Sequence, residues 1–363
     1  MREGFTTGAC AAAAALASCL WRRDGECPPR VEIVLPGGRA FSPAVRAHEG
    51  FLCGVVKDAG DDPDITGGCE VLALVEPGED DGPVTFRAGE GVGTVTGPGL
   101  KLPPGEAAVN PAPRRIIERA VRSVTGSRAA EVTVSIPGGE ALARRTFNPR
   151  LGITGGLSIL GTTGIVRPMS EEALKASVAL EMRVHRAKGA EALALTFGNQ
   201  GEEALTRRFP GVSVAQMSNF VGFALDEAAS LGFRRLLIAG HPGKLVKVSA
   251  GVMQTHSLCA DARREAVIAE LARMGAPWAL VESVYGCVTT GAMVDVIRFA
   301  GHQAVWARLA DGAQRYCEAR LRGLVEVDAA FLDAGQVLGV SGRLRADPNR
   351  WGRGGDPDGT DGD

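Results

Sequence analysis

The stretch FNPRLGITGGLSILGTTGIVRPMS, residues 147–170, lies where the local sequence pattern of this chain changes. It contains five glycines, and apolar residues such as Ile153 and Leu157 lie between them. Flexible linkers are polar, and an ordinary strand does not carry so many glycines. The composition is therefore typical of either a buried crossover between two domains or a loop that lines a ligand.

The segments on either side of this stretch have different patterns. Before it, short extended runs alternate with turns, which predicts an α+β domain over residues 1–147 with hairpins at the PGG turns 36–38 and 137–139. After it, helical segments alternate with apolar extended runs, which predicts an α/β domain over residues 148–342 with a mostly parallel sheet. The tail, residues 343–363, is rich in Gly, Asp and Pro, and we expect it to be disordered.

Bulk composition narrows the class of protein. A chain of 363 residues is long enough for two domains with large cores. A net charge of −2 and an aromatic content of 5% argue against nucleic-acid binding and against a membrane-surface protein. The eight cysteines show no C-x-x-C spacing, so we expect reduced thiols of a cytoplasmic protein rather than a structural zinc site.

The alanine-rich run 9–21 near the N-terminus predicts a helix that Thr6 or Thr7 can cap. It is shorter than the ~18 apolar residues that a membrane-spanning helix needs. The core of a signal peptide is the alternative, but only Arg2 precedes the run and Glu3 cancels its charge.

The tripeptide Thr-Thr-Gly occurs at residues 6–8, 162–164 and 289–291. Each copy precedes a possible helix, where threonine hydroxyls cap the first turn and free N–H groups accept an anion. Simple capping and ligand binding both stay open for each copy.

The acidic turn KDAGDDPD, residues 57–64, does not fit the ligand positions of an EF-hand calcium loop. A solvated turn is one interpretation. The other is that carboxylates orient a substrate or take a proton, with Asp58 and Asp61 as the best candidates because they lie nearest the preceding apolar strand.

Two further segments have the composition of binding loops. Gly198–Gly201 follows an apolar strand and precedes a helix, where open α/β sheets bind ligands, but it is not a G-x-G-x-x-G fingerprint. Residues 238–265 carry two histidines and several cations beside glycines, a pattern typical of a functional site. Lys244 and Lys247 would share one helix face and bind an anion, unless both are solvated surface charges. A zinc site through the two histidines lacks a third ligand.

Several strings together resemble the CbiD family. They are GFTTGACAAAAALA (4–17), the acidic turn, GVGTVTGPGL (91–100), the stretch 147–170, SNFVGFALDEAASLGF (218–233) and AGHPGKLVKVSAG (239–251). The resemblance runs from Gly4 to about residue 276 and weakens after that. The chain departs from the family pattern at Phe197, where proline is common.

The resemblance implies a cobalt-precorrin-5B C1-methyltransferase of anaerobic cobalamin biosynthesis, which transfers a methyl group from S-adenosylmethionine and gives cobalt-precorrin-6A. The cobalt arrives inside the substrate, so no protein-bound metal is expected. Neighbouring pathway enzymes are candidate partners, whereas nucleic acid and membrane are not. A non-catalytic tetrapyrrole carrier and a nicotinamide-dependent reductase are the alternatives, although the reductase would need a dinucleotide fingerprint that is missing.

Combined with the resemblance, the candidate segments give three groups of site residues. The catalytic candidates are Asp58, Asp61, His241 and His256. The cofactor-binding candidates are Gly161, Thr162, Thr163, Gly164, Gly198 and Asn199. The substrate-binding candidates are Thr6, Thr7, Lys57, Asn219, Lys244, Lys247 and Arg263.

Overall fold

The computed structural model describes residues 1–333 and 335–352 and has the mixed α/β composition that the sequence predicts. The chain divides into two compact units, Met1–Glu171 and the part that begins at Glu172. The division therefore falls after the glycine-rich stretch 147–170, not before it as expected. The physical reason is that this stretch packs within the first unit, where Leu157 and Ile159 belong to its hydrophobic core.

The strands and helices of the first unit are short, apart from two long helices and two long strands. The strands are β1 (Gly4–Phe5), β2 (Ile33–Val34), β3 (Ala40–Phe41), β4 (Arg46–Ala47), β5 (Cys53–Val56), β6 (Glu70–Asp81), β7 (Val84–Ala88), β8 (Thr94–Val95), β9 (Arg128–Ser135), β10 (Ile153–Thr154) and β11 (Ile165–Val166). The helices are α1 (Thr7–Asp24), α2 (Pro111–Thr125) and α3 (Gly139–Ala143), with a 3-10 turn at Glu49–Phe51.

The main sheet of the first unit has the strand order β4-β5-β6-β9-β7. Its neighbours are antiparallel except β7 and β9, which are parallel. Helix α1 packs on this sheet and on α2, and its alanines 9 and 11–15 are fully buried. Small side chains allow this close packing, and the Ser18 hydroxyl accepts a hydrogen bond from the Val75 N–H across 3.0 Å. The helix prediction for residues 9–21 is confirmed.

Local turn signals succeeded at one predicted hairpin and failed at the other. The strands β2 and β3 pair antiparallel across the PGG turn 36–38, as predicted. The PGG turn 137–139 instead leads into α3, because Gly138 adopts a left-handed conformation (φ 74°) and good helix formers follow it. The Thr-Thr-Gly copy at 162–164 also precedes a strand, β11, and not a helix.

Helices and strands alternate in the second unit. Its helices are α4 (Glu171–Ala187), α5 (Asn199–Arg208), α6 (Val221–Ser230), α7 (Pro242–Ser249), α8 (Arg263–Arg273), α9 (Trp278–Tyr285), α10 (Thr290–Phe299), α11 (Val305–Arg320) and α12 (Gly342–Ala346). Its strands are β12 (Ala192–Thr196), β13 (Val214–Gln216), β14 (Arg235–Gly240), β15 (Glu326–Asp333) and β16 (Gln336–Val340).

In the described part of this unit the strand order is β13-β12-β14-β15-β16. The first four strands are parallel and β16 returns antiparallel at one edge, so the mostly parallel sheet predicted here is confirmed. Apolar helices cover both faces, which explains why the central strands are continuous apolar runs.

The predicted disorder of the tail is wrong for residues 343–352. Helix α12 buries Leu344, and Trp351 is only 3% exposed. The Trp351 Nε1–H donates a hydrogen bond to Asp328 Oδ2 across 2.7 Å, which ties the tail to β15. Residues 353–363 lie outside the described residues.

Across residues 1–333 and 335–352, no helix combines the length and the apolar character that crossing a membrane requires.

Candidate functional site

The carboxyl edge of the second unit's sheet contains a reversal of strand order. The chain runs from β12 to β13 on one side and then crosses to β14 on the other side of β12. In open α/β sheets a crevice forms at such a reversal, just beyond the carboxyl ends of the strands. Phe197 and Gly198 follow β12 there, and His241 follows β14.

The Phe197 ring lies directly against the end of β14. A Cβ atom on Gly240 would lie 2.6 Å from Phe197 Cδ2, so a glycine is needed at that position. The Lys244 Nζ atom lies 5.7 Å from the centroid of the same ring. Partial burial lowers the Lys244 pKa, and the charge of Lys247 lowers it further. A bound carboxylate would stabilise this ammonium group.

His241 caps α7 and is held by two contacts. Its Nδ1 atom accepts a hydrogen bond from the Gly243 N–H across 3.0 Å, which leaves the proton of the neutral ring on Nε2. Nε2 lies 3.2 Å from Asp333 Oδ1, at the end of β15. Because the His241 side chain is 54% exposed, the pair can meet a ligand. Asp333 was missed from the sequence, although it ends an apolar strand at the same edge.

A second polar cluster lies beside Gly198. The Gln216 Nε2 atom donates to Asn199 Oδ1 across 2.6 Å and to Glu202 Oε2 across 2.7 Å. A Cβ atom on Gly198 would have no other atom within 4 Å, so the space at this backbone is open. Gln216 and Glu202 were also missed, and the signal for Gln216 is its place at the carboxyl end of β13.

Lys247 does not share the environment of Lys244. It is only 3% exposed, and its Nζ atom donates to the carbonyl oxygens of Thr255 and Ala260 across 3.0 and 2.9 Å. The predicted helix is present, but Lys247 is turned inward and holds the following loop. Asn219 also binds this loop, since its carbonyl oxygen accepts from the Thr255 N–H across 3.0 Å. No side chain caps the start of α6, where Phe220 is the capping residue.

The remaining candidates of this segment have local partners. The His256 Nδ1 atom accepts from the Leu258 N–H across 3.2 Å. The Arg263 Nε–H donates to Asp261 Oδ1 across 2.6 Å. The hydrogen bonds from Arg263 lower the Asp261 pKa to about 2. These contacts account for the geometry of the loop without a ligand.

The acidic turn of the first unit is fixed by ion pairs. Arg2 binds Asp58, with Nη2 2.8 Å from Oδ1, and this guanidinium is the main reason that the Asp58 pKa falls to about 2. The Asp61 N–H donates to the Arg2 carbonyl oxygen across 3.0 Å. Lys57 is 2% exposed, and its Nζ lies 2.6 Å from Asp64 Oδ2. A carboxylate with a pKa of about 2 is a weak general base at neutral pH.

The structure brings Thr6 and Thr7 next to the loop 160–164. The Thr6 hydroxyl caps α1 by accepting from the Ala9 N–H across 3.2 Å, and the Thr7 hydroxyl accepts from the Leu160 N–H across 2.9 Å. A Cβ atom on Gly161 would lie 2.2 Å from Thr6 Oγ1. Packing therefore accounts for this glycine.

Gly164, Thr162 and Thr163 complete the loop. A Cβ atom on Gly164 would lie 2.6 Å from Leu35 Cδ2, so packing accounts for this glycine as well. Thr162 and Thr163 are exposed.

No group of three or more His, Cys, Asp or Glu side chains is arranged to hold a metal ion in the ranges 1–333 and 335–352.

Comparison with known proteins identifies the family. A family model described as CbiD matches residues 1–168, and one described as "CbiD, C-terminal domain" matches residues 254–342. The match to the C-terminal family model thus extends well past residue 276, after which the resemblance inferred from the sequence weakens.

Individual relatives agree with the family models. The cobalt-precorrin-5B C(1)-methyltransferase of Photorhabdus laumondii is 46% identical over 87% of this chain and 85% of that protein. The protein of the same name from Klebsiella pneumoniae is 44% identical over 95% of this chain and 94% of that protein. A crystal structure of cobalamin biosynthesis protein (cbiD) from Archaeoglobus fulgidus is 29% identical, covers 72% of this chain and 84% of that chain, and has a TM-score of 0.39. The resemblance inferred from the sequence is confirmed: this chain belongs to the CbiD family.

Proposed function

We propose that this chain is an S-adenosylmethionine-dependent methyltransferase that methylates C1 of cobalt-precorrin-5B in anaerobic cobalamin biosynthesis. The observation that carries the proposal is its identity of 44–46% with proteins of that name over at least 85% of their length. The cluster at the carboxyl edge of the second unit's sheet supports it, because a polar crevice at a reversal of strand order is a ligand site in such folds.

Within this proposal the methyl donor binds beside Gly198. The open space at Gly198 and the amide and carboxylate groups of Asn199, Gln216 and Glu202 suit the hydroxyl and amine groups of an adenosyl ligand. Gly161 and Gly164 are weaker candidates, since contacts with Thr6 and Leu35 already require glycine there. The donor supplies a sulfonium methyl group that is already activated.

Lys244 binds a carboxylate of the corrin precursor. Its ammonium group is partly desolvated and lies over the Phe197 ring, so an anionic partner gains a charge-assisted hydrogen bond there. Orientation of the macrocycle towards the donor is the main task of such contacts, because alignment of two reactants lowers the barrier strongly.

His241 positions the Asp333 carboxylate next to the substrate. The Gly243 N–H fixes the ring through Nδ1, and Asp333 orients the Nε2–H. Because both ring nitrogens have partners, His241 holds the Asp333 carboxylate in place, and Asp333 is the nearest base. For the acidic turn we propose a role in orientation rather than proton transfer, because the Asp58 pKa is about 2.

The proposal extends to the domains, the cellular compartment and the partners of the enzyme. We assign the first unit to the α+β domain and the second to the α/β domain expected from the sequence, with the crossover at residue 171. The described cysteines are all free thiols, which supports a cytoplasmic protein. Neighbouring pathway enzymes are candidate partners that deliver and receive the corrin intermediates.

The test is a transfer assay with methyl-labelled S-adenosylmethionine and the cobalt-precorrin pool. Label on the macrocycle at C1 is the expected result, and His241→Gln should reduce the rate more than His302→Gln, a change at a histidine outside the crevice. Binding of the corrin precursor without transfer of label would favour the carrier alternative. Reduction of the precursor by a nicotinamide cofactor, again without transfer of label, would favour the reductase alternative.

A further inference from the structure

Thr196, the last residue of β12, carries a buried hydroxyl that has no partner. The residue is 0% exposed, and Oγ1 makes no hydrogen bond to any described residue. Buried hydroxyls are nearly always hydrogen-bonded, because leaving one unsatisfied destabilises the folded state. An unsatisfied group that persists in a native fold calls for an explanation, such as a bound ion, water or ligand.

The Thr196 hydroxyl faces the first turn of α5. A Cβ atom on Gly201 would lie only 2.0 Å from Thr196 Oγ1, so Gly201 lets the helix approach the strand end closely. Thr196 and Ala194 lie on the same side of the strand, and Ala194 packs in the cluster that contains Leu205 of α5. The hydroxyl therefore lies between the sheet and the start of this helix.

The first turn of α5 has unused donors as well. Among the described residues, the backbone N–H groups of Asn199, Gln200 and Gly201 have no acceptor, and the first bond of the helix runs from the Glu202 N–H to the Gly198 carbonyl oxygen. Gly198 is the capping residue and has no side chain to fill this role. The positive end of a ten-residue helix dipole adds to these donors.

Taken together, these groups match a carboxylate. We infer that the Thr196 hydroxyl and the free N–H groups of the first turn of α5 form a carboxylate-binding subsite. Backbone N–H groups at a helix start and a hydroxyl donor are the groups that hold an anion without a cationic side chain. Glu202 lies in the same turn, but its Oε2 atom accepts from Gln216 Nε2 across 2.7 Å, so that carboxylate already has a partner.

This inference rests on the proposed function, because it supplies two sources of a carboxylate. One is the amino-acid carboxylate of S-adenosylmethionine, and the other is a side-chain carboxylate of the corrin precursor. Both would be held by the same chemistry, and binding measurements separate them.

The decisive variant is Thr196→Val, which keeps the shape and removes the hydroxyl; Thr196→Ser, which keeps a hydroxyl, is its control. Calorimetry of the full chain with each ligand should show at least about tenfold weaker binding of one of them to Thr196→Val, the usual effect of losing a hydrogen bond to a charged group. The Tm of the ligand-free Thr196→Val protein should not fall, since the hydroxyl has no partner to lose.

A decarboxylated analogue of S-adenosylmethionine distinguishes the two sources. If the donor's carboxylate occupies the subsite, wild type and Thr196→Val bind the analogue equally weakly. If the precursor's carboxylate occupies it, only precursor binding falls and the affinity for S-adenosylmethionine is unchanged.

Unchanged affinity of Thr196→Val for both ligands would overturn the inference. A fall in the Tm of the ligand-free variant together with equal loss of both ligands would also overturn it, because the hydroxyl would then be structural. Failure of the proposed function is a separate outcome, in which the wild type itself binds neither ligand and transfers no label.

Discussion

At the scale of single residues, the two lysines of α7 show how far a side chain's role depends on its partners. Lys244 and Lys247 are three positions apart, yet one lies over the Phe197 ring and the other is bound to the carbonyl oxygens of Thr255 and Ala260. Helical periodicity alone predicts that both lysines lie on the same face of the helix. It cannot show that a later loop returns and supplies acceptors to one of them.

Changing Lys244 to Ala should weaken binding of the corrin precursor by about 1.5–3 kcal/mol, the range for a hydrogen bond to a charged group. The affinity for S-adenosylmethionine should barely change, and precursor binding to the wild type should weaken as salt rises. Lys188→Ala, a change at an exposed lysine of the same unit, is the matched control. Equal loss of both ligands in calorimetry would contradict the assignment of Lys244.

Changing Asp58 should affect the stability of the fold but not the rate of methyl transfer. Its folded pKa of about 2 lies below the usual value of 3.8, so its ion pair with Arg2 stabilises the fold above about pH 4. This contribution should fade as the pH falls from 4 towards 2. Asp58→Asn should therefore unfold more easily than the wild type at pH 7, and the difference should shrink as the pH falls through about 2 and vanish below it.

Methyl transfer by Asp58→Asn should stay close to the wild-type rate, because a carboxylate with so low a pKa is a poor base. A loss of roughly 10²-fold, the size expected when a proton-transferring group is removed, would restore the catalytic interpretation of the acidic turn. Denaturant titrations across the pH range and the label-transfer assay measure the two effects separately.

At the scale of elements, local sequence patterns predicted the structure correctly where the interacting segments are close in sequence. The β2–β3 hairpin follows from its turn, and the alternation of helices and apolar strands predicts the parallel sheet. These local patterns do not predict which segments far apart in sequence come together. The parallel pairing of β7 with β9 and the contact of Asp333 with His241 depend on tertiary packing.

The glycine-rich stretch contains a matched pair for testing whether packing explains its glycines. Gly155 and Gly164 both have left-handed backbones (φ 82° and 81°), but only Gly164 has a neighbour at the position of a Cβ atom, namely Leu35. Gly155→Ala should cost about 1–2 kcal/mol from backbone strain alone. Gly164→Ala should cost about 1–3 kcal/mol more because it overpacks the core.

Urea unfolding of both glycine variants measures the difference. Equal destabilisation would show that Leu35 moves aside without cost, and the packing explanation of Gly164 would then fail. Residual S-adenosylmethionine binding by a folded Gly164→Ala protein would further support a donor site elsewhere than this loop.

At the scale of the whole molecule, the segment after β16 completes the second unit. Polar composition predicted disorder from residue 343 onward, but Leu344 and Trp351 supply two large apolar side chains that the core accepts. A composition average hides two such residues in a stretch of Gly, Asp and Arg. Their spacing of seven residues equals two helical turns, but α12 ends at Ala346 and Pro348 follows, so helical periodicity does not account for the burial of both side chains.

The Trp351 indole also supports the buried carboxylate of Asp328. Burial raises the Asp328 pKa, whereas the hydrogen bond from Trp351 and the charge of Arg350 oppose that shift. Trp351→Phe keeps most of the apolar contact and removes the N–H donor. It should cost about 1.5–3 kcal/mol, the range for a hydrogen bond to a charged group, while Arg350 Nε stays 2.8 Å from Asp328 Oδ2.

The pH dependence of this loss follows from the charge of Asp328. A raised folded pKa means that the folded state loses stability as the pH rises above the usual value of 3.8 through the folded pKa. Without the Trp351 donor the folded pKa rises further, so the penalty of Trp351→Phe should be largest at neutral pH and shrink on acidification. Denaturant unfolding at several pH values measures it, with Trp278→Phe, a change at an exposed tryptophan, as the control. A penalty that is constant with pH would mean that Trp351 stabilises the unit by apolar packing alone.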